Sequence, residues 1–277
     1  MHIWRKQATA RWLRENNDEL FRRGGLNAVI IERPGKIRSL VEISCSNREQ
    51  ARGFQEEFGG QIKKLPADWF QRMAKQSRSK PLQIGSRLTV ARTAESKSKR
   101  KATIVIPAEA AFGTGDHATT AMCLRMLERV TRTMPTDWLM LDAGTGSGIL
   151  AIAASRFGAK RVLAIDNDPL AVATALRNAK ANHASNIKFR TGDVLKQKLG
   201  DRFDLIAANL YSEILIKALR AWRRHLASDG RLVLSGILRS QENAVVAALR
   251  QNGFPQREVR RRGKWIAVLA WRAPKKS

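Results

Sequence analysis

Cysteine is nearly absent from this 277-residue chain: Cys45 and Cys123 are the only two, far apart and in no metal-binding spacing. That excludes a disulfide framework and a cysteine zinc site, and it fits reduced thiols in a cytosol. No apolar run approaches the roughly 18 residues of a membrane span. The opening stretch MHIWRKQATARW has no apolar signal core, so a cytoplasmic protein without membrane contact is expected. Histidine is sparse as well. His2, His117, His183 and His225 are scattered and offer no pair at ligand spacing, so no bound metal is expected. Acidic residues are the last shortage: 24 Asp and Glu face 51 Lys and Arg, a net charge of +27. The excess is no tail, since residues 1–101 carry +13 and residues 102–277 carry +14. Such a surface attracts polyanions and binds RNA weakly whatever the RNA sequence. A lineage whose proteins are all arginine-rich would show the same excess.

What the chain does have is centred on Leu139 to Ala154, LMLDAGTGSGILAIAA. A short apolar run ends in Asp142, glycines follow at alternate positions (Gly144, Gly146, Gly148), and a small-residue helix begins. Strand, glycine turn and helix N-terminus make a nucleotide-binding corner, because glycine lets the backbone turn sharply and a ligand approach closely. The spacing is G-x-G-x-G. A dinucleotide fingerprint needs its third glycine where this chain has Ile149, and there is no P-loop lysine. A second strand at Arg161 to Ile165 delivers Asp166, 22 positions after Gly144, about the distance at which an acid meets a ribose hydroxyl pair. Together these features describe an S-adenosylmethionine (SAM) pocket; a tight turn with an ordinary strand-end Asp is the plainer alternative.

The length accommodates two domains. Residues 1–65 read as β-α-β-β-α-β, the order of a ferredoxin-like domain. The pieces are a strand at His2–Gln7 and a helix at Thr9–Arg23 with Trp12, Leu13, Leu20 and Phe21 on one face. Strands at Asn27–Glu32 and Ser39–Ile43 follow, joined by a Pro34-Gly35 turn. A helix capped by Ser46, with Glu49 completing a capping box, then runs to Phe58, and Gln61–Leu65 closes the unit as a strand. No catalytic constellation appears there, so a substrate-docking role is expected.

Residues 66–106 read as an interdomain linker and hairpin: a helical stretch at Asp68–Lys80, a strand at Leu82–Arg92, a charged tip at Thr93–Lys101 and a returning strand at Ala102–Ile106. The tip is read as a solvated loop, with an RNA-contacting finger as the alternative.

In residues 107–277, the stretch AFGTGDHATT (Ala111 to Thr120) leads into a helix at Thr120–Val130. His117 is read there as a helix-cap or loop hydrogen-bonding group rather than a metal ligand. From 137 onward strands at 138–141, 161–165, 187–190, 204–208, 231–235 and 265–271 alternate with helices at 147–157, 168–182, 211–226 and 239–252. The pattern implies a parallel sheet covered on both faces. A strand at 256–260, the RRRGK turn (Arg260–Lys264) and the strand at 265–271 form a hairpin that adds an antiparallel strand near the edge. The arginines there are read as a solvated hairpin face.

The stretches AFGTGDHATT, LDAGTGSGILAIAA, AIDNDPLAV, AANL and GRLVLSGIL make residues 107–238 closely resemble the ribosomal protein L-eleven (L11) methyltransferases, the PrmA family. Asp68-Trp69 and PLQIGSRLTV extend the resemblance upstream more weakly. It implies an α/β fold, a class I methyltransferase Rossmann-like sheet with a small N-terminal ferredoxin-like α+β domain. It also implies SAM as cofactor, L11 as partner and a monomer. Thr120 is expected to contact SAM, Gly144 to lie against its amino-acid end, Asp166 to hold the ribose hydroxyls, Asp193 to meet the adenine, and Asn209 to sit beside the methyl group and the incoming amine. Phe112 packs either on the cofactor or in the core.

Two departures stand out. The family continues its Asn with Ile-Leu-Ala, whereas this chain reads Asn209-Leu210-Tyr211-Ser212, and residues there face the acceptor. Family members are also commonly acidic or near neutral, whereas this chain carries +27, which suits a substrate already on rRNA better than a free, lysine-rich protein.

The chemistry implied is an in-line attack by an amine on an activated methyl group, where proximity and alignment carry much of the acceleration and no acid or base is assigned. A nucleobase amino-methyltransferase is the first rival. Its usual Asn/Asp-Pro-Pro-aromatic sequence is missing after Asn209, though other ring positions are not excluded. An inactive SAM- or RNA-binding assembly factor is the second.

Overall fold

The computed structural model describes residues 2–24, 28–31, 37–64, 81–93, 102–107, 117–197, 199–200 and 202–273. The expected helix at Asp68–Lys80, with Asp68-Trp69, and the glycines and Phe112 of AFGTGDHATT lie outside them. Two compact units divide the chain, Met1–Gln76 and Ser77–Ser277.

Among the described residues, the first unit holds one four-stranded sheet and two helices. β1 (His2–Thr9), α1 (Ala10–Gly24), β2 (Ala28–Ile31), β3 (Arg38–Cys45), α2 (Arg48–Phe58) and β4 (Gln61–Lys64) follow in that order. The sheet order is β2-β3-β1-β4 with every pair antiparallel, which is the ferredoxin-like arrangement. Its core is built by alternation: Trp4 and Ala8 from β1 and Val41, Ile43 and Cys45 from β3 face Ala51, Phe54 and Phe58 of α2. The Trp4 indole N–H donates to the Gly59 carbonyl at 2.7 Å, which satisfies the one polar atom of that buried ring. The helix cap differs from expectation. Asn47, not Ser46, is the N-cap: its Oδ1 accepts from the Gln50 amide at 2.8 Å, and Gln50 Oε1 accepts in turn from the Ser46 amide. Gln50 is three residues past Asn47 and so takes the place expected of Glu49.

The second unit begins with β5 (Leu82–Ile84), β6 (Leu88–Ala91) and β7 (Ala102–Val105). The expected single strand at 82–92 is two, broken by a turn at 85–87. β6 and β7 pair in parallel, Leu88 opposite Ala102, so these two strands are not the arms of the expected hairpin; residues 94–101 of its charged tip lie outside the described residues. Ile84, Leu88, Val90, Ile104 and Ile106 belong to the same buried core as α3 (Ala118–Val130) and α4 (Ile149–Arg156). A buried carboxylate ties them: Glu128 of α3 pairs with Arg87 from the turn (3.3 Å) and with Arg132 (2.6 Å).

The large sheet holds β8 (Leu139–Ala143), β9 (Arg161–Asp166), β10 (Ile187–Thr191), β11 (Phe203–Asn209), β12 (Leu226–Leu238), β13 (Gln256–Arg262) and β14 (Trp265–Trp271), in the order β10-β9-β8-β11-β12-β14-β13. The first five strands run parallel, and β14 is antiparallel to both its neighbours. Helices α3, α4 and α5 (Pro169–Ala181) and then α6 (Ser212–His225) and α7 (Glu242–Gln251) supply the covering layers. Two buried clusters on opposite faces record this: Ala164, Ala207 and Val233 meet α3 and α4, while their neighbours Leu163, Ile206 and Leu234 meet α6 and α7. The terminal hairpin is present, but its turn is Gly263-Lys264; Arg260, Arg261 and Arg262 are strand residues. No helix among the described residues is long and apolar enough to cross a membrane.

Candidate active site

The site residues converge because parallel strands end together. Asp142, Asp166 and Asn209 stand at or beside the C-terminal ends of β8, β9 and β11, around the point where the strand order reverses between β8 and β11. Ligands of open α/β sheets bind in that crevice.

The turn after β8 is pinned from both sides. The amides of Gly144 and Thr145 donate to the Ile165 carbonyl at 2.8 and 3.0 Å, and the Gly146 amide donates to Asp166 Oδ2 at 2.8 Å. Gly144 has φ +77°, and a Cβ there would collide with the Leu210 side chain. Glycine is therefore required twice over, by conformation and by the approach of the Asn209-Leu210 segment. Leu210 is itself held: its amide donates to the Ser235 carbonyl at 3.0 Å, and its backbone passes where a Cβ at Gly236 would stand.

Asp166 is 8% exposed, and its second oxygen accepts from the Asp168 amide at 3.1 Å. Each carboxylate oxygen thus has one backbone donor and one lone pair left, the valence a vicinal diol needs. Asp193 follows β10, one strand over, where the Gly192 amide donates to the Asp166 carbonyl. Its Oδ1 accepts from the Leu195 amide at 2.9 Å, which shapes the turn.

Across the crevice, Asn209 Nδ2 donates to Thr120 Oγ1 at 3.2 Å. This bond fixes the amide's orientation and leaves Asn209 Oδ1 buried with no partner among the described residues. Thr120 is buried in the first turn of α3, and His117 caps that helix: its Nδ1 accepts from the Thr119 amide and lies 2.7 Å from Thr119 Oγ1. His117 is therefore the expected capping group. Burial, and then Lys264 nearby, hold its pKa below the ordinary histidine value, which favours the neutral ring that can accept.

Sequence reasoning passed over Asp142. It is fully buried, with Oδ2 accepting from Thr145 Oγ1 at 2.7 Å and from the Ala151 amide at 3.1 Å, while Oδ1 has no partner among the described residues. Burial pushes its carboxyl up to about 7, against two lowering hydrogen bonds and with a further raising contribution from Asp166. Cys123 packs near it, and burial followed by the Asp142 charge pushes that thiol up to about 12. The available signal was an Asp closing an apolar strand directly before the glycine turn.

An acid whose folded pKa exceeds its unfolded value of 3.8 is protonated in the fold but not in the unfolded chain between about pH 4 and 7. Stability from this group is full below that window, falls by up to about 1.4 kcal/mol per pH unit within it and is level above. Urea unfolding of the wild type and Asp142→Asn across this range checks it. The wild type is expected to lose stability relative to the variant as pH rises; parallel curves would contradict the assignment.

A sulfonium nucleoside donor fits this geometry. Asp166 offers paired acceptors beside the glycine turn, and the Asn209 oxygen is one more acceptor without a partner among the described residues. Thr120, Gly144, Asp166 and Asn209 share the crevice, and Asp193 stands at the next strand's end.

Comparison with known proteins agrees with this reading. Residues 38–273 match the family model "Ribosomal protein L11 methyltransferase (PrmA)". A protein named ribosomal protein L11 methyltransferase from Heliobacterium modesticaldum is 35% identical over 254 residues, covering 86% of this chain and 78% of that protein. Relatives of the same name from Pelobacter propionicus (40% identical, 70% of this chain) and Clostridium perfringens (36%, 69%) align over 64% and 60% of their own lengths, so the chain spans less than two thirds of these two. The crystal structure of ribosomal protein L11 methylase from Lactobacillus delbrueckii subsp. bulgaricus superposes with a TM-score of 0.62 at 30% identity, covering 70% of this chain and 98% of that one. The chain belongs to the ribosomal protein L11 methyltransferase (PrmA) family.

Proposed function

We propose that this chain transfers methyl groups from SAM to amines of ribosomal protein L11, lysine side chains and the N-terminal amine being the acceptors. The single observation that carries the reading is the Asn209–Thr120 pair, which leaves one buried carbonyl oxygen at the end of β11 without a hydrogen-bond partner among the described residues. An amine has N–H bonds to direct at such an acceptor, and an sp² oxygen held from behind defines the direction of approach.

SAM, when bound, supplies an activated methyl on a cationic sulfonium. The chain's own part is placement. Asp166 would hold the ribose diol, the Gly144 turn would receive the amino-acid end, and Asp193 would stand near the adenine. Asn209 would align the acceptor nitrogen with the methyl carbon. A lysine has a pKa near 10.4 in water, and burial in the crevice beside a positive sulfonium lowers it. The neutral amine that must attack is therefore accessible without a dedicated base. Tyr211, 58% exposed at the start of α6, stands next to Asn209-Leu210, where acceptor side chains would enter. The first unit, with no catalytic cluster among its described residues, would dock the substrate protein.

Peptide mapping of ribosomal proteins from cells with and without the gene tests this reading. Loss of methylation on L11 is the expected result. Unmodified L11 in both strains, with rRNA methylation lost instead, would favour a nucleic-acid methyltransferase.

A further inference from the structure

The terminal hairpin carries a charge arrangement that the methyl-transfer site does not use. β13, sequence QREVRRR, is the last strand of the large sheet and pairs with β14 alone among the described residues. Its residues alternate between faces. Val259 packs with the α6 and α7 cluster and Arg261 pairs with Glu242 of α7, so these point one way. Glu258 pairs with Arg129 of α3, so Glu258, Arg260 and Arg262 point the other way. On α3, Arg125 and Arg129 lie four residues apart and share a helical face.

Four guanidiniums thus lie along one strip that holds a single carboxylate among the described residues, Glu258. Glu258 is shared by Arg129 and Arg260, which leaves Arg125 and Arg262 without a carboxylate partner among the described residues. Among the described residues Arg125 reaches the Ala121 carbonyl alone, at 3.4 Å. Burial first, then Arg262 and Arg260, hold its pKa below the ordinary arginine value, as expected of like charges set close together. A fold gains nothing from such crowding by itself. The strip also has an orientation: Lys264, in the hairpin turn, lies over the Trp265 ring, and Trp265 meets His117 edge-on at 5.0 Å, three residues before Thr120. From the mouth of the methyl-transfer site the charges continue along α3 and β13 to Arg129, about 14 Å of helix.

We propose that this strip, Arg125, Arg129, Arg260 and Arg262 with Lys264 at its mouth end, binds the phosphate backbone of RNA. It would thereby hold an RNA-seated ribosomal protein against the methyl-transfer site. The proposal rests on the function proposed above and names the form of substrate. Planar guanidiniums match phosphate oxygens two at a time, and Arg260 and Arg262 are spaced about 7 Å apart along one face of a strand. The chain's +27 charge adds a long-range field that gathers a polyanion. An acidic peptide would need apolar anchors as well. Trp265 is half-buried, and the exposed Trp271 of the same hairpin already carries Arg231 and Arg257 against its ring.

The test titrates a fluorescein-labelled RNA stem-loop into the full chain by fluorescence anisotropy over a range of KCl. Arg125→Gln with Arg262→Gln removes the two unpaired guanidiniums. Lys180→Gln with Arg220→Gln, both exposed elsewhere on the same unit, removes equal charge. The strip pair is expected to lose about tenfold in affinity and to flatten the log–log salt slope by about two. The control pair should lose less than about threefold. Equal losses in both pairs, no loss in the strip pair, or displacement of RNA by equimolar polyglutamate would overturn the proposal. Methylation assays separate the two levels. The strip pair should methylate free L11 as the wild type does but lose its advantage on L11 bound to rRNA. If the wild type methylates neither form, the proposed function fails while the RNA titration still decides the strip.

Discussion

Replacing Asp166 with Ala is expected to weaken SAM binding by at least about 100-fold, measured by calorimetry on the purified chain. The side chain would accept two hydrogen bonds from the ribose, and bonds to an ionised group contribute about 1.5–3 kcal/mol each. A second effect acts in the same direction. Asp166 already accepts from the Gly146 and Asp168 amides, so its removal frees the glycine turn and leaves two amides without their acceptor. Asp166→Asn separates the two contributions, because Asn keeps the shape and one acceptor oxygen and loses the charge. It is expected to fall between the wild type and Ala. Unchanged affinity in the Ala variant would remove the ribose assignment.

Replacing Asn209 with Ala should act on a different step. The rate of methyl transfer in a single turnover is expected to drop by about 100-fold or more, the scale of effect that lost alignment produces. SAM affinity should change by only a few fold, because Asp166 and the glycine turn are untouched. The reason lies in the Thr120 hydroxyl, which fixes the Asn209 amide so that its free oxygen points one way. Thr120→Val provides the complementary measurement. It keeps Asn209 but lets the amide rotate, and so should lower the rate by a smaller factor. Loss of donor affinity in Asn209→Ala with an unchanged transfer rate would assign the residue to holding the donor.

Much of this was legible in the residues. The glycine corner could be read because Gly144 occupies a backbone conformation and a contact that other residues cannot, and that demand is written in one position. The parallel sheet could be read because strands buried on both faces are continuous apolar runs, such as VLAI before Asp166. The β-α-β-β-α-β order of the first unit followed from local period, while the expected Pro34-Gly35 turn lies outside the described residues. Pairing direction was not legible. Leu88–Ala91 and Ala102–Val105 alternate no differently as parallel or antiparallel neighbours, and their direction is set by packing on α3 and α4. Nor did the residues between Leu82 and Arg92 reveal a break, because Ile84 and Leu88 bury equally well on either side of it.

The site shows the same division. Asp166 announces itself by its position at a strand end and Asn209 by the family resemblance, whereas the bond from the Asn209 amide to Thr120, 89 residues away, was not legible. Asp142 illustrates the opposite case. Its neighbours in sequence are ordinary, and its unusual carboxyl arises from complete burial, which no local pattern discloses. The arginines of the terminal hairpin read as a solvated face and are partly or fully exposed, whereas the nearness of Arg125 and Arg129 on α3 was not legible.

The most direct measurement of the whole account is transfer of an isotope-labelled methyl group from SAM to purified L11 by the purified chain, followed by mass spectrometry of the product. The account predicts label on L11 amines, dependent on Asn209 and Asp166, and none on RNA supplied alone. Label appearing on RNA while L11 stays unmodified, or no transfer to either with SAM bound, would contradict it.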